Sequence, residues 1–287
     1  LNLRYTLFDG LGRKYNYQQL KERYNLTELQ AKATIENTYL QLFTSYFQIA
    51  RLSENTANLG EALSISKRRL KRATYQYEYG QSTKLALLNA EVDVNNDSIL
   101  LISANQQLMN AQRDLNVLLG IEKEVNYNVE TEVVFNKMMN FEDLKEKTIL
   151  NNSALQQNEK NRAISEFNIK INKANYLPSL ALNTSYGWNK SENPATSFLA
   201  GATSNGLNAG LALSWNLFDG GSTKTRIANA KIDLENQQIL LEQQKVTIEN
   251  NLKNTWENYQ NQLFILQAQE KNVQTSQNNF DRTKERF

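Results

Sequence analysis

The alternation of apolar and polar residues between positions 207 and 218 predicts a β-strand that leads directly into a helix. Apolar side chains recur at every second position on one side of this segment, at Leu211, Leu213, Trp215 and Leu217. A repeat of two residues is typical of a strand with one buried face. Residues 219–222, Asp-Gly-Gly-Ser, end the alternation, and either Asp219 or Ser222 can cap the polar helix that continues to residue 287.

A second copy of this unit opens the chain. Residues 211–220 are matched by identical residues at Leu1, Leu3, Leu7, Phe8, Asp9 and Gly10, and Trp215 is matched by Tyr5. Thr-Ile-Glu-Asn recurs at positions 34 and 247, and Arg72 and Tyr77 correspond to Arg282 and Phe287. We predict tandem copies of one unit, a strand followed by a very long helix. Chance similarity between amphipathic helices is the alternative, but the Leu-Phe-Asp-Gly junction is not helical sequence.

Apolar stripes predict a long helical hairpin between the two strand regions. Residues 13–79 carry apolar residues at alternating steps of three and four, a coiled-coil-like pattern over roughly 100 Å at about 1.5 Å per residue. Gly80 suits the left-handed position that ends a helix, and Ser82 or Thr83 can cap the next helix, residues 84–118. That second helix has two stripes: Leu85, Leu88, Val92, Ile99, Ile102 and Met109, and Leu87, Ala90, Val94, Leu101, Ala104, Leu108, Ala111, Leu115 and Leu118. Two stripes let a helix contact neighbours on both sides, as a wall of helices requires; a buried helix of an ordinary bundle is the alternative.

The segment after residue 120 is mixed. Residues 121–140 are predicted to be irregular or a short strand, with apolar residues at Val129, Val133, Val134 and Phe135. Helices are predicted over 141–151 and over 153–174, the latter with Ser153 as its cap. A strand begins after Pro178 and runs to residue 189, and a polar loop over 190–205, containing Pro194, joins it in a hairpin to the strand over 207–218.

Composition restricts the chemistry. Among 287 residues there is no cysteine and no histidine, so the usual His/Cys metal sites and Cys or His nucleophiles are excluded. A lysine- or carboxylate-based site is left open, although no catalytic residues, cofactor or metal ligands stand out. With 32 basic and 30 acidic residues, the charge gives no reason to expect a nucleic-acid partner. The mean hydropathy of −0.61 favours long helices with narrow apolar stripes, and no apolar run approaches a membrane-spanning helix.

The strands have the pattern of a membrane barrel. Each has an apolar face, a polar or small face, and an aromatic residue near one end, at Tyr5, Trp188 or Trp215. A soluble sandwich would show the same alternation. The repeat implies a fourth strand before Leu1, and four strands cannot close a barrel, because known barrels begin at about eight. Since open edges do not occur in lipid, several copies must contribute. The chain starts within a strand and stops within a helix, so we interpret it as an internal fragment.

These motifs carry a resemblance to the TolC family of outer-membrane efflux proteins. It rests on the tandem unit, the Leu-Phe-Asp-Gly-Gly junction ending at Gly221, the strand entry Ala174-Asn-Tyr-Leu-Pro-Ser-Leu180, and Tyr79-Gly-Gln-Ser-Thr followed by Leu-Leu-Asn-Ala-Glu91. The resemblance implies a mainly α fold with membrane β: long antiparallel helical hairpins form a periplasmic tunnel, and β-hairpins contribute to a twelve-stranded outer-membrane barrel in a homotrimer. The implied regions are a barrel strand over 1–8, a helical hairpin over 9–118, an equatorial region over 119–175, a barrel hairpin over 176–218 and a long helix over 219–287.

The resemblance also implies functional positions. A periplasmic tip that docks an adaptor would comprise Tyr79, Gly80, Gln81, Ser82 and Thr83, and the closed state would be held by Arg72, Tyr75 and Tyr77. Strand-helix junctions fall at Asp9, Gly10, Asp219, Gly220 and Gly221. Lipid-facing positions are Leu3, Leu182, Tyr186, Trp188, Leu211, Leu213 and Trp215. Family members often carry an acidic residue shortly after the tip, whereas here none follows until Glu91. Simple helix-to-helix packing and solvation of the outer wall is the alternative for the tip side chains.

The implied function is an exit duct of a tripartite efflux or type I secretion system. Such a duct passively conducts substrates from a periplasmic adaptor and an inner-membrane transporter to the exterior. The implied location is the outer membrane of a Gram-negative bacterium, in contact with its lipid and with a periplasmic extension. A structural coiled-coil envelope protein without transport is the alternative, and an enzyme is a third. The sequence leaves open whether the cargo is a drug, a metal or a protein.

Overall fold

The computed structural model describes residues 1–122, 125, 127, 129–131, 139–192, 198 and 201–285. Our predictions at Val133, Val134, Phe135, Pro194 and Phe287 lie outside the described residues. The chain divides into two units, the first formed by Leu1–Ala33 and Met138–Phe287 and the second by Thr34–Lys137.

The strand-then-helix repeat is confirmed. The described elements are β1 (Asn2–Asp9), α1 (Gly12–Glu78), α2 (Lys84–Leu118), α3 (Phe141–Asn151), α4 (Ser153–Ala174), β2 (Ser179–Glu192), β3 (Gly201–Ser214) and α5 (Ser222–Glu285). The bounds of α2, α3 and α4 are those predicted, and α1 is shifted by one residue. In α1, Gly60 is the only helix-weakening glycine or proline after the first residue, which explains why the helix continues for 67 residues. No described helix combines the length and apolar character needed to cross a membrane.

Helix ends follow the predicted capping chemistry, with one correction. The backbone amides of Gly80 and Gln81 donate to the carbonyls of Tyr77 and Gln76, at 3.0 and 2.7 Å, which closes α1 in a Schellman motif. Thr83 caps α2, as predicted, because its hydroxyl accepts from the Ala86 amide at 3.2 Å. The predicted cap Ser153 is wrong. Asn152 caps α4 instead, and its side-chain oxygen accepts from the amide of Leu155 at 2.9 Å.

The first unit contains a three-stranded antiparallel sheet in the order β1-β2-β3, counted within the described ranges. β2 and β3 pair without interruption from Ser179 opposite Ser214 to Glu192 opposite Gly201. The predicted loop over 190–205 was therefore too long, since β2 continues to Glu192 and β3 begins at Gly201. The sequence did not indicate this pairing, because these residues are polar or small and have low strand propensity. β3 ends at Ser214 rather than residue 218, since Pro178 offers no amide to extend the ladder.

A β-bulge changes the alternation in β1. Thr6 lies opposite Ala181 and Phe8 lies opposite Leu180, so Leu7 is the extra residue. Strict alternation from Leu3 and Tyr5 would place Phe8 on the other face of the sheet. The bulge instead brings Phe8 onto the face that carries Leu3 and Tyr5.

Helices of the first unit pack through a small apolar core and several polar contacts. Leu155 of α4 is buried with Leu241 and Ile248 of α5. The start of α1 runs antiparallel to α4: Lys160 Nζ lies 2.8 Å from Glu22 Oε2, and the Gln157 side-chain amide donates to the Leu29 carbonyl at 3.3 Å. Polar side chains thus fix the register of helices whose apolar core is narrow.

The second unit contains the later part of α1 together with α2. Ile49, Leu52, Ala104 and Leu115 are among its buried apolar residues, and Ile49 is fully buried. The Ser66 hydroxyl donates to Asp97 across the pair. One predicted stripe of α2 is buried or half-buried, whereas the other is exposed at Leu85, Leu88, Val92, Ile99, Ile102 and Met109. Within the described residues, therefore, α2 has a partner on one side.

Gly10→Ala should reduce stability more than the equivalent change Gly220→Ala. Both glycines have a positive φ, 67° and 64°, so each alanine adds strain of roughly 1–2 kcal/mol. A Cβ at Gly10 would also lie 2.5 Å from the Ala174 carbonyl oxygen, whereas a Cβ at Gly220 meets nothing within 4 Å. This overlap should add about 1–3 kcal/mol.

The measurement is the free energy of unfolding of the two variants, compared with that of the unchanged protein. Equal losses in Gly10→Ala and Gly220→Ala would show that the contact with Ala174 is relieved without cost.

Candidate functional site

Two strand-helix junctions share the same capping contact. At the first, the Asp9 carboxylate accepts from the Arg13 amide at 3.0 Å. At the second, the Asp219 carboxylate accepts from the Thr223 amide at 2.7 Å, again four residues later. A carboxylate at the start of a helix satisfies a free amide and interacts favourably with the helix dipole. The predicted junction residues Asp9 and Asp219 therefore cap the helices that follow them.

The backbone repeats at these junctions as well. After each aspartate, two residues adopt a left-handed conformation: Gly10 and Leu11 with φ of 67° and 68°, and Gly220 and Gly221 with φ of 64° and 86°. Glycine adopts this conformation at little cost, but leucine does not. Leu11 therefore carries strain in the first copy that the second copy avoids with Gly221.

Arg13 adds a brace that sequence reasoning missed. Its guanidinium Nε donates to Asp9 at 3.0 Å, and its Nη2 donates to the carbonyl of Thr6 at 2.6 Å. One side chain therefore ties the start of α1 to β1 beside the bulge. The signal in the sequence was a cation four residues after the capping aspartate.

The pKa of Asp219 is lowered from its ordinary value of 3.8. The causes are the side-chain hydrogen bond with Thr223, then the backbone amides of Thr223 and Gly221, and the nearby charge of Arg226. All of these favour the ionised carboxylate. The cap is therefore a charged group at neutral pH.

The predicted tip residues form the turn between α1 and α2. Gly80 has φ of 71°, and a Cβ there would meet no atom within 4 Å, so the turn is open on its outer side. Tyr79 is 78% exposed, and Gln81 is exposed beside it. The backbone is thus fixed by the helix caps, while the outward side chains are available for contact.

The residues predicted to hold a closed state lie on the last turns of α1. Arg72, Tyr75 and Tyr77 are exposed. Lys71, rather than Arg72, lies over the Tyr75 ring, with its Nζ 6.0 Å from the ring centroid. Within the described part of the chain, the structure does not bring Arg72 together with Tyr75 or Tyr77 in a hydrogen bond.

The sheet presents an apolar face and a polar face. Residues directly opposite in an antiparallel pair lie on the same face. One face carries Leu3, Tyr5, Leu180, Leu182, Tyr186, Trp188, Leu207, Leu211 and Leu213. Leu211 and Leu213 are 68% and 71% exposed. The predicted lipid-facing set thus shares one face, except for Trp215, which follows the end of β3 and donates its indole N–H to the Tyr176 carbonyl at 3.1 Å.

The other face consists of short and polar side chains, with one long cation. Its central positions are Asn2, Arg4, Thr6, Ala181, Asn183, Ser185, Asn208, Gly210 and Ala212. An open concavity of about 550 Å³ extends over Arg4, Asn183 and Gly210. Sequence reasoning missed Arg4, although its place between Leu3 and Tyr5 in an alternating strand could have indicated it.

Metal-binding clusters do not occur in the described part of the chain. No group of three or more histidine, cysteine, aspartate or glutamate side chains is placed to hold a metal ion there.

Several outer membrane proteins resemble this chain. A family model described as outer membrane efflux protein matches residues 1–121 and 144–287. The CmeC outer membrane channel of Campylobacter jejuni has 18% identity and a TM-score of 0.71, over 86% of this chain and 52% of that one. The outer membrane protein VceC of Vibrio cholerae has 14% identity and a TM-score of 0.71, over 86% of this chain and 58% of that one.

A third structure extends this likeness. The open state of the MtrE outer membrane channel of Neisseria gonorrhoeae has 16% identity and a TM-score of 0.57, over 88% of this chain and 55% of that one. The chain thus spans a little more than half the length of these proteins, and the likeness establishes its fold. No curated protein matches it.

Acidification should weaken the start of α5 through Asp219. Because the folded-state pKa is lowered, the stabilising contribution of Asp219 is present above its ordinary value of 3.8 and is lost as the pH falls through the lower folded-state pKa. The protection factor of the Thr223 amide, which compares its exchange with the intrinsic rate at the same pH, should therefore decrease when the pH falls below that value. Asp219→Asn should exchange faster at neutral pH and lose this acid dependence. An unchanged acid dependence in Asp219→Asn would assign the titration to another group.

Proposed function

We propose that this chain, which belongs to the outer membrane efflux protein family, forms part of the exit duct of a tripartite efflux or type I secretion system. Its location is the outer membrane, and its fold is that of outer membrane channels. The duct would be passive and without catalytic activity or cofactor. An inner-membrane transporter would drive the cargo, and a periplasmic adaptor would connect the two.

The observation that carries this proposal is the two-sided sheet. Its apolar face is exposed over a long patch that includes Leu3, Leu207, Leu211 and Leu213. Contiguous apolar surface of this kind marks a contact with lipid or protein. The β2–β3 pair is 14 residues long, which is roughly 45 Å at about 3.3 Å per residue, enough for a tilted strand to cross a bilayer of about 30 Å.

The polar face supports the choice of lipid for the apolar face. Arg4 projects from the polar face, opposite Asn183. A charged side chain that faces lipid is costly, whereas one that faces an aqueous lumen is not. We therefore propose that Leu3, Leu182, Tyr186, Trp188, Leu211 and Leu213 face lipid, with Trp215 in the adjoining turn at the membrane boundary.

The sheet edges support assembly from several copies. In the described part of the chain, the outer edges of β1 and β3 pair with no further strand. Open edges do not occur in the hydrocarbon layer. The family resemblance implies three copies that together form a twelve-stranded barrel. The exposed stripe of α2, which includes Leu88, Val92 and Ile99, supports helix packing between neighbouring copies of the chain in such an assembly.

The helix tip supports an adaptor contact. Tyr79, Gly80, Gln81, Ser82 and Thr83 form a turn whose outer side is open, and its backbone is fixed by the caps of both helices. We propose that the adaptor binds there. The exposed groups of Arg72, Tyr75 and Tyr77 would then bond to neighbouring helices of the assembly to keep the duct closed.

A paired substitution tests the duct and the assignment of its faces. The full-length protein should be extracted from membranes by detergent as a trimer and conduct ions in a planar bilayer. Leu207→Arg, near the middle of the apolar face, should cost about 2–4 kcal/mol and reduce trimer yield. The neighbouring change Asn208→Arg, on the polar face, should leave assembly intact. The reverse result would exchange the two faces, and a monomer without conductance would leave only the structural coiled-coil alternative.

Substitutions at the tip test docking and closure separately. Gly80→Trp should abolish export while trimers still reach the outer membrane, because the bulky side chain obstructs the turn. Gly80→Ala is the matched control: it adds similar strain of roughly 1–2 kcal/mol but little bulk, so export should persist. Tyr77→Phe and Arg72→Ser should raise the single-channel conductance by loosening the closed state.

Export, trimer yield and conductance are measured in the same set of variants. Normal export by the Gly80→Trp trimer would remove the docking role. Unchanged conductance in Tyr77→Phe and Arg72→Ser would leave these residues with a packing role alone.

A further inference from the structure

Arg4 differs from the other residues on the polar face of the sheet in its charge. Of the described residues on that face of β1, β2 and β3, Arg4 and Asp9 are the two with ionisable side chains. Asp9 lies at the junction end and is neutralised by Arg13, whose Nε is 3.0 Å away. The face therefore carries one uncompensated charge, and it is positive.

The neighbours of Arg4 on the polar face are shorter side chains, so its guanidinium extends beyond them into solvent. Asn183 and then Gly210 occupy the same row across β2 and β3, and Thr6 lies two positions along β1. A Cβ on Gly210 would meet nothing within 4 Å, so the space beside this row is open. Arg4 is exposed, and in the described part of the chain it forms no ion pair. Its guanidinium stays charged at any relevant pH.

We propose that Arg4 makes the barrel section of the duct prefer anions over cations. This inference rests on the proposed function, in which the polar face lines the lumen. Each copy of the chain would contribute one Arg4 at the same height, so an assembly would carry a ring of positive charge at a level where the other side chains are short. A charged ring inside a low-dielectric wall concentrates counter-ions. The favoured passengers are therefore anions or molecules that present a carboxylate, sulfonate or phosphate group.

The size of the effect depends on salt. At about 10 mM salt the Debye length is about 30 Å, so charges on the wall act across the lumen, whereas at about 1 M it shrinks to about 3 Å. A ring of three charges roughly 10 Å from the axis should enrich a monovalent anion about three- to fivefold at low salt and deplete a monovalent cation by the same factor. The preference should largely disappear in concentrated salt.

The experiment is the reversal potential of the full-length channel in a planar bilayer under a potassium chloride gradient. The unchanged channel should prefer chloride at low salt, Arg4→Gln should lose about tenfold in the permeability ratio of chloride to potassium, and Arg4→Glu should prefer potassium. Lys190→Gln is the matched control, because Lys190 lies on the opposite face and is paired with Glu192 at 2.9 Å. Lys190→Gln should keep the selectivity of the unchanged channel.

A cysteine version tests the same claim by adding the charge after the channel has assembled. Because these 287 residues contain no cysteine, Arg4→Cys introduces a single thiol into this part of the protein. Modification with a cationic methanethiosulfonate should restore the preference for chloride, and an anionic methanethiosulfonate should invert it. Leu3→Cys, on the apolar face, should not react with either water-soluble reagent.

The outcomes separate this inference from the proposed function. Conducting trimers whose selectivity is the same in Arg4→Glu and in the reacted Arg4→Cys would overturn the role of Arg4 and leave the duct intact. Reaction at Leu3→Cys but not at Arg4→Cys would overturn it by exchanging the two faces. The absence of conducting trimers from the unchanged protein would overturn the proposed function itself.

Discussion

The junction between strand and helix is the constraint on which the rest of this structure depends. The strand ladders end at Asp9 and Ser214, and α1 and α5 begin at Gly12 and Ser222 with amides that have no acceptor within the helix. Each unsatisfied amide is costly if it is buried. One aspartate resolves this at each junction, since Asp9 and Asp219 accept from amides four residues later. The two left-handed residues that follow each aspartate turn the chain, so that the amide four residues later faces the carboxylate.

The first junction is more tightly built than the second. Gly10 is buried against Ala174 and Leu177, at the end of α4, where β2 is about to begin. Arg13 connects Asp9 with Thr6 of β1, so the sheet, α1 and α4 meet at this point. Gly220 has open space around it. The same backbone turn thus serves as a packed corner in one copy and as an exposed corner in the other.

The long helices are stabilised in a different way from the sheet. Their apolar cores are narrow, as Leu155, Leu241 and Ile248 illustrate. Polar contacts such as Lys160 with Glu22 and Ser66 with Asp97 set the registers at which the helices meet. A narrow core leaves other apolar stripes uncovered, which suits a chain that assembles with further helices. The resemblance to the TolC family, inferred from repeated motifs, is confirmed by the family match and by the fold of known channels.

The sequence by itself determined the features that depend on neighbouring residues in the chain. The repeat of two in the strands, the repeat of three and four in the helices, Gly80 in its turn and Thr83 as a cap are local effects of backbone geometry and hydrogen bonding. Only the tertiary structure decided the extra residue at Leu7 and the continuation of β2 and β3 through polar residues. It also decided which stripe of α2 is covered and that Arg4 stands in a row with Asn183 and Gly210. These features depend on which residue of a distant segment lies opposite, and pairing between segments is set by the whole fold rather than by the local pattern.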